Sequence, residues 1–154
     1  MISKMIAAAS LLAISAVSAN AATANGNLAV SVSINATCTV GAGTLDFGTQ
    51  SNVGGAANID AAGSFTVTCT NTVGYATTLG NGANFSSGRR MTNGTDFINY
   101  SIYSDAGRTT AWSSVAGTGT GSAQTLNVYG RIPTGQTSVS TGSYTDTVQI
   151  TVTY

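Results

Sequence analysis

Apolar residues recur at every second position in several short stretches of the chain, the period of a strand with one buried face. Leu28, Val30, Val32 and Ile34 alternate with Ala29, Ser31 and Ser33, and the same parity runs on through Ala36, Cys38 and Val40. Phe65, Val67 and Cys69 alternate with Thr66 and Thr68, and Leu126 and Val128 flank Asn127. Val148, Ile150, Val152 and Tyr154 alternate with Gln149, Thr151 and Thr153. Turn clusters separate these runs: GAG at 41–43, NVGG at 52–55, NG at 81–82 and 93–94, DAG at 105–107 and GTGTG at 117–121. Beyond residue 21, Thr, Ser and Gly crowd the chain while the helix builders Lys, Glu and Leu are scarce or missing, so propensity favours strands throughout. Roughly six to eight short strands at this spacing predict an antiparallel sandwich, with a closed barrel as the second architecture.

The N-terminal alternation is the one that changes this picture most. Burying its four branched side chains is worth about 6 to 12 kcal/mol before entropy is charged. A strand with Leu28, Val30, Val32 and Ile34 on one face is therefore expected to be covered. Either it joins its own sheet as an edge strand, or another chain covers it.

Residues 1–21, MISKMIAAASLLAISAVSANA, read as a signal peptide: Lys4 in a short n-region, an apolar run from Met5 to Val17, then small residues. The run is shorter than the roughly 20 residues a membrane span needs. Ala19 and Ala21 form the A-x-A site, which predicts cleavage before Ala22. Beyond it, Arg89, Arg90, Arg108 and Arg131 stand against Asp46, Asp60, Asp96, Asp105 and Asp146, a net charge of −1 with no Lys or Glu. Without a basic run to neutralise phosphates, nucleic acid is excluded as a partner. The chain has no His, which removes imidazole ligands, the Ser-His-Asp triad and the Cys-His pair together. No acidic spacing suits calcium, and the Asp residues read as turn and strand-end groups bonded to local backbone. No catalytic residue, metal site, cofactor or small-molecule substrate is expected. Arg89 and Arg90, in SSGRRMTNG, read as a solvated loop, with sugar or anion binding as the other reading. Trp112 reads as a buried sandwich Trp, with glycan stacking as the other. Two cysteines in an exported chain with no CxxC spacing predict one disulfide, Cys38 to Cys69, worth about 3 to 4 kcal/mol on the chain-entropy account.

The segments C38-T-V, LDFG at 45–48, INYSIYSDAGRTTAW at 98–112, NVYGRIPTGQ at 127–136 and GSYTDTVQITVTY at 142–154, in that order, resemble the spore coat protein U domain. That family includes the major subunits of archaic chaperone-usher pili in Gram-negative bacteria. The resemblance implies an all-β fold: an incomplete immunoglobulin-like β-sandwich that lacks its last strand and is completed by the N-terminal donor strand of the next subunit. It implies residues 22–36 as the donor-strand extension and 37–154 as the pilin domain. Leu28, Val30, Val32 and Ile34 would then be the plug, and the Cys38–Cys69 bridge would tie the first strand to the second. Tyr144 to Tyr154 would be the final strand beside the groove, with Val148, Ile150 and Val152 facing the core and the Tyr154 carboxylate gripped by a chaperone. The implied partners are copies of itself in a linear homopolymer, a periplasmic chaperone and an outer-membrane usher. The implied location is the cell surface, reached through the periplasm, and the implied role is cell adhesion and biofilm formation as a non-catalytic pilus subunit. The alternatives are a secreted monomeric coat protein or lectin on the same sandwich, and an outer-membrane β-barrel.

Overall fold

Strands form in this chain where an alternating run finds a hydrogen-bonded neighbour. The computed structural model describes residues 20–154. The expected signal peptide, Ala19 of its cleavage site included, falls almost wholly on residues 1–19, outside the described residues, while Ala21 and Ala22 are exposed. The chain divides into two units, Met1–Ser33 and Ile34–Tyr154. In the first, residues 20–33 carry neither strand nor helix.

The second unit holds eight strands: β1 Cys38–Val40, β2 Ile59–Cys69, β3 Gly74–Leu79, β4 Arg89–Thr92, β5 Phe97–Tyr103, β6 Val115–Thr118, β7 Gln124–Ile132 and β8 Ile150–Thr153. They build a five-stranded sheet in the order β1-β2-β7-β5-β4 and a three-stranded sheet in the order β6-β3-β8. Every pairing is antiparallel. Neither sheet closes on itself, so the architecture is a sandwich and the barrel reading falls. Inward positions alternate along the strands: Phe65, Val67 and Cys69 on β2, Ile98, Tyr100 and Ile102 on β5, Val128 and Ile132 on β7. Tyr75 and Thr77 face in from β3, and the fully buried Thr77 hydroxyl is satisfied by donating to the Val115 carbonyl at 3.0 Å. Trp112 packs in this core against Phe65, ring centroids 5.8 Å apart and planes tilted by 55°, which leaves no exposed ring for a glycan.

Three expectations about local structure need correcting. The GTGTG run is not wholly a turn, because Gly117 and Thr118 belong to β6. Glycine is required there since a Cβ on Gly117 would collide with the Tyr75 ring. The alternation from Leu28 does not continue as one strand into Val40, since ladder bonds begin only at Thr37, whose carbonyl accepts from the Thr70 amide at 2.9 Å. Nor is the last strand continuous from Tyr144. It forms an isolated bridge at Thr145 to Thr92, of β4, and joins the other sheet as β8.

Two glycines set how closely the chain after β1 lies on the sheet. A Cβ on Gly63 would run into the Thr44 carbonyl oxygen, and one on Gly130 would meet Leu45 and Phe47 at about 2.8 Å and 2.7 Å. The absent side chains let residues 44–47 rest directly on β2 and β7. On the same sheet Asp60 accepts from Arg131 Nε and Nη2 at 2.7 and 2.8 Å and pairs with Arg108 at 3.4 Å. Arg108 also donates to the carbonyls of Ala61, Ala106 and Gly130.

These carboxylates predict the pH dependence of stability. The Arg131 hydrogen bonds hold Asp60 below the usual carboxylate range, bonds from Ser140 do the same for Asp96, and the Thr110 and Thr109 amides do it for Asp105. A group depressed in the folded state supports folding above its unfolded value and stops doing so as pH falls through the folded one. With no His to titrate, stability is expected to be level between about pH 5 and pH 8 and to fall only below about pH 4. Urea midpoints across that range check this, and a drop between pH 7.5 and 5.5 would contradict it.

Candidate functional site

The core of the sandwich is open along one side. Residues 43–47, which follow β1, and residues 143–150, which lead into β8, stand apart across a cavity of about 510 Å³. Its floor is core: Phe65, Tyr100, Ile102 and Val128. Leu45 and Phe47 line one wall and Leu79, Val148 and Ile150 the other, with Met91 and Tyr144 between. The opening continues into a second space of about 820 Å³ between residues 45–54 and 136–144, which shares Leu45, Phe47, Met91 and Tyr144 but is more polar, with Gln50, Asn52 and Thr137 along it.

Both walls present unused backbone. Thr44 exchanges both its bonds with Ser64, at 3.2 Å each, so Gly43 and Leu45 point their N–H and C=O groups the other way, into the opening. On the opposite wall the Gly80 amide donates to Gln149 O at 2.8 Å and the Ala83 amide to Thr147 O at 3.0 Å, while Thr145 and Thr92 exchange bonds at 3.0 Å. The odd-numbered residues are thus spent on the segment that follows β3 and on β4. Tyr144, Asp146 and Val148 turn their backbone groups toward the groove, as an edge strand does.

One polar point interrupts the apolar lining. Asp146 accepts from the Tyr100 hydroxyl at 2.7 Å and from the Asn84 amide and Nδ2, both at 3.2 Å. Burial, then the bond to this carboxylate and its charge, push the Tyr100 hydroxyl far above the usual phenol range, so it stays a donor. The polar end is pinned through Ser140, whose amide donates to Asp96 at 2.8 Å and whose carbonyl accepts from the Tyr144 hydroxyl at 2.9 Å.

Of the residues singled out from the sequence, Val148 and Ile150 line the groove, Val152 is half-buried on β8, and Tyr154 is exposed. Cys38 and Cys69 are joined, S–S 2.01 Å, across the first register pair of β1 and β2. Leu28, Val30, Val32 and Ile34 are 80 to 87% exposed. Residues 27–34 are assigned to no strand.

Arg89 and Arg90 also depart from expectation. They lie in β4 rather than in a solvated loop, because β4 pairs with β5. Arg89 donates to the Leu79 and Gly80 carbonyls, and Arg90 donates to Asn84 O at 3.0 Å with its guanidinium 4.1 Å over the Phe97 ring. Both cations are spent on holding the 79–84 turn. The carboxylates are likewise engaged: Asp46 with the Gly48 amide, Asp105 with Thr109 and Thr110, and the rest as described. Asp96 and Asp146 bond to residues far away in the chain, against the expectation of local turn bonds. No group of three or more His, Cys, Asp or Glu that could hold a metal occurs among the described residues.

The fold is an incomplete immunoglobulin-like β-sandwich, open where one more strand would lie between the first and the last. The same fold occurs in a chain of a chaperone-usher pilus complex. The chain belongs to the spore coat protein U domain family, which matches residues 24–151. It is 38% identical over 175 residues to Protein U of Myxococcus xanthus, covering 99% of this chain and 96% of that protein. In structure it is similar to a chain of the CsuC–CsuE chaperone–tip adhesion subunit pre-assembly complex from the archaic chaperone-usher Csu pili of Acinetobacter baumannii, with a TM-score of 0.59 and 20% identity. That match covers 79% of this chain and 40% of the other, so the chain spans less than half the length of its structural neighbour.

Proposed function

We propose that the protein is a structural subunit of an adhesive surface pilus, exported as a precursor with residues 1–21 as its signal and polymerised by donor-strand complementation. In this reading residues 22–36 are the extension and 37–154 the pilin domain. Leu28, Val30, Val32 and Ile34 of one copy fill the groove of the next. A periplasmic chaperone first holds the β8 edge and the Tyr154 carboxylate, and an outer-membrane usher exchanges it for the extension. The observation that carries this is the groove itself, with an apolar floor and unused backbone groups on both walls. It suits an alternating strand: plug side chains enter the lining and the strand's N–H and C=O groups pair with the walls. Burial of four branched side chains supplies about 6 to 12 kcal/mol before ordering costs, and the backbone pairing with the walls adds to it.

Amide exchange tests it. In the free subunit the amides of Tyr144, Asp146 and Val148 are expected to exchange fast and that of Thr145, bonded to Thr92, slowly. In the assembled multimer the even-numbered set is expected to become protected by at least about 100-fold, as for other sheet amides. Unchanged exchange at all three on multimerisation would sink the assignment of the groove.

A further inference from the structure

The chain beyond residue 21 contains three Asn-Gly steps, 25–26, 81–82 and 93–94, and the structure places them in three different chemical situations. In such a step the glycine backbone nitrogen can attack the asparagine side-chain carbonyl, since no Cβ on the glycine blocks the approach. The attack needs three things: an amide N–H free to lose its proton, an asparagine side chain free to turn toward it, and a backbone free to adopt the cyclic geometry.

Asn93–Gly94 has none of them. The Gly94 amide donates to Thr92 Oγ1 at 3.0 Å, so the nucleophile is occupied. Asn93 Oδ1 accepts from the Thr95 and Asp96 amides at 3.0 and 2.8 Å, and its Nδ2 donates to Ser140 Oγ at 3.1 Å. Gly94 is held at φ 96°. Asn81–Gly82 is constrained differently. Gly82 sits at φ 91° between the amides of Gly80 and Ala83, both bonded to the last strand segment. The Asp146 carboxylate lies against its Cα, where a negative charge opposes formation of the amide anion. At Asn25–Gly26 no atom lies within 4 Å of where a Gly26 Cβ would be, both residues are exposed, and no strand or helix includes them.

We infer that Asn25 is a site of spontaneous deamidation and isomerisation, and that Asn81 and Asn93 are protected from it by the fold. The Gly26 nitrogen, its proton taken by solvent base, bonds to Asn25 Cγ. The Cγ–Nδ2 bond breaks and ammonia leaves, closing a succinimide. Water then opens either ring carbonyl, giving aspartate or isoaspartate at position 25. On the donor-strand reading proposed above, Asn25 lies on the opposite parity from Leu28, Val30, Val32 and Ile34, so each event adds a negative charge off the apolar face.

The test is incubation of the full exported chain at about pH 8, where the amide anion is more abundant, followed by peptide mapping with isoaspartate detection and isoelectric focusing. The expected result is conversion at Asn25 while Asn81 and Asn93 stay intact, with one acidic charge variant that Asn25→Ser abolishes. Unfolding in urea is expected to bring Asn81 and Asn93 to the rate of Asn25. Conversion at Asn81 or Asn93 first in the folded protein, or equal rates at all three, would overturn the inference. So would an unconverted Asn25 after the unfolded chain has reacted at the other two.

Discussion

Val32→Asp is expected to abolish multimer formation while leaving the domain folded, and Ser31→Asp is expected to leave multimers near the wild-type level. In an alternating strand Val32 shares a face with Leu28, Val30 and Ile34, and Ser31 points the other way. If that face enters the groove, the new carboxylate must be buried among Phe65, Ile102, Val128 and their neighbours without a cation. Arg89, Arg90, Arg108 and Arg131 are already spent on backbone carbonyls or on Asp60. An unpaired polar group in such a place costs several kcal/mol, and each 1.4 kcal/mol is a factor of about ten, so a loss of at least about 100-fold is expected. The substitution falls outside both sheets, so the urea midpoint of the isolated subunit should not move. SDS gels of unheated and heated fibre preparations give the readout. Equal multimer yields from Val32→Asp and wild type would defeat the donor-strand proposal and promote a monomeric coat protein or lectin on the same sandwich.

Replacing Cys38 or Cys69 by Ser is expected to lower the stability of the subunit by about 3 to 4 kcal/mol, the chain-entropy value for this loop. For a domain of this size, whose whole stability is on the order of 5 to 15 kcal/mol, that is a large fraction. The structure adds a local reason. β1 has only three register pairs and a single hydrogen-bonded neighbour, β2, and it leads directly into the groove wall at residues 43–47. With the bridge gone, β1 is expected to fray first and carry that wall with it, so the variants should be poorly captured for assembly as well as less stable. Equilibrium denaturation and the periplasmic yield measure the two effects. A change under 1 kcal/mol, or two free thiols in the folded exported protein, would show that the bridge does not have this role.

Much of the sandwich was legible before any coordinates. Phe65, Val67 and Cys69 on β2, Leu126 and Val128 on β7, and Ile150 and Val152 on β8 stand where their period-two spacing put them. β5 carries an equally plain alternation, Ile98, Tyr100 and Ile102, and reading it as a strand would have found two residues of the groove floor. Others left no local trace. Arg89 and Arg90 sit among Gly, Ser and Asn, which reads as a loop, and only pairing with β5 makes a strand of them. Gly117 looked like a turn residue because composition cannot tell a glycine that bends the chain from one that makes room for the Tyr75 ring.

What the sequence determined by itself is that the chain is built of short half-buried strands, that its only two cysteines form one predicted pair, that it lacks imidazole chemistry, and that residues 28–34 carry an apolar face. These are statements about neighbours along the chain, where side-chain period and residue type act directly. Only the tertiary structure decided that Leu45 and Phe47 stand opposite Val148 and Ile150 with no strand between them, and that Asp146 reaches Tyr100 at the floor. Periodicity says that a face must be buried, and it is silent on what buries it. The partner is set by long-range pairing, in which Thr44 spends its bonds on Ser64 and Thr145 spends its bonds on Thr92, and the backbone groups left over define the opening.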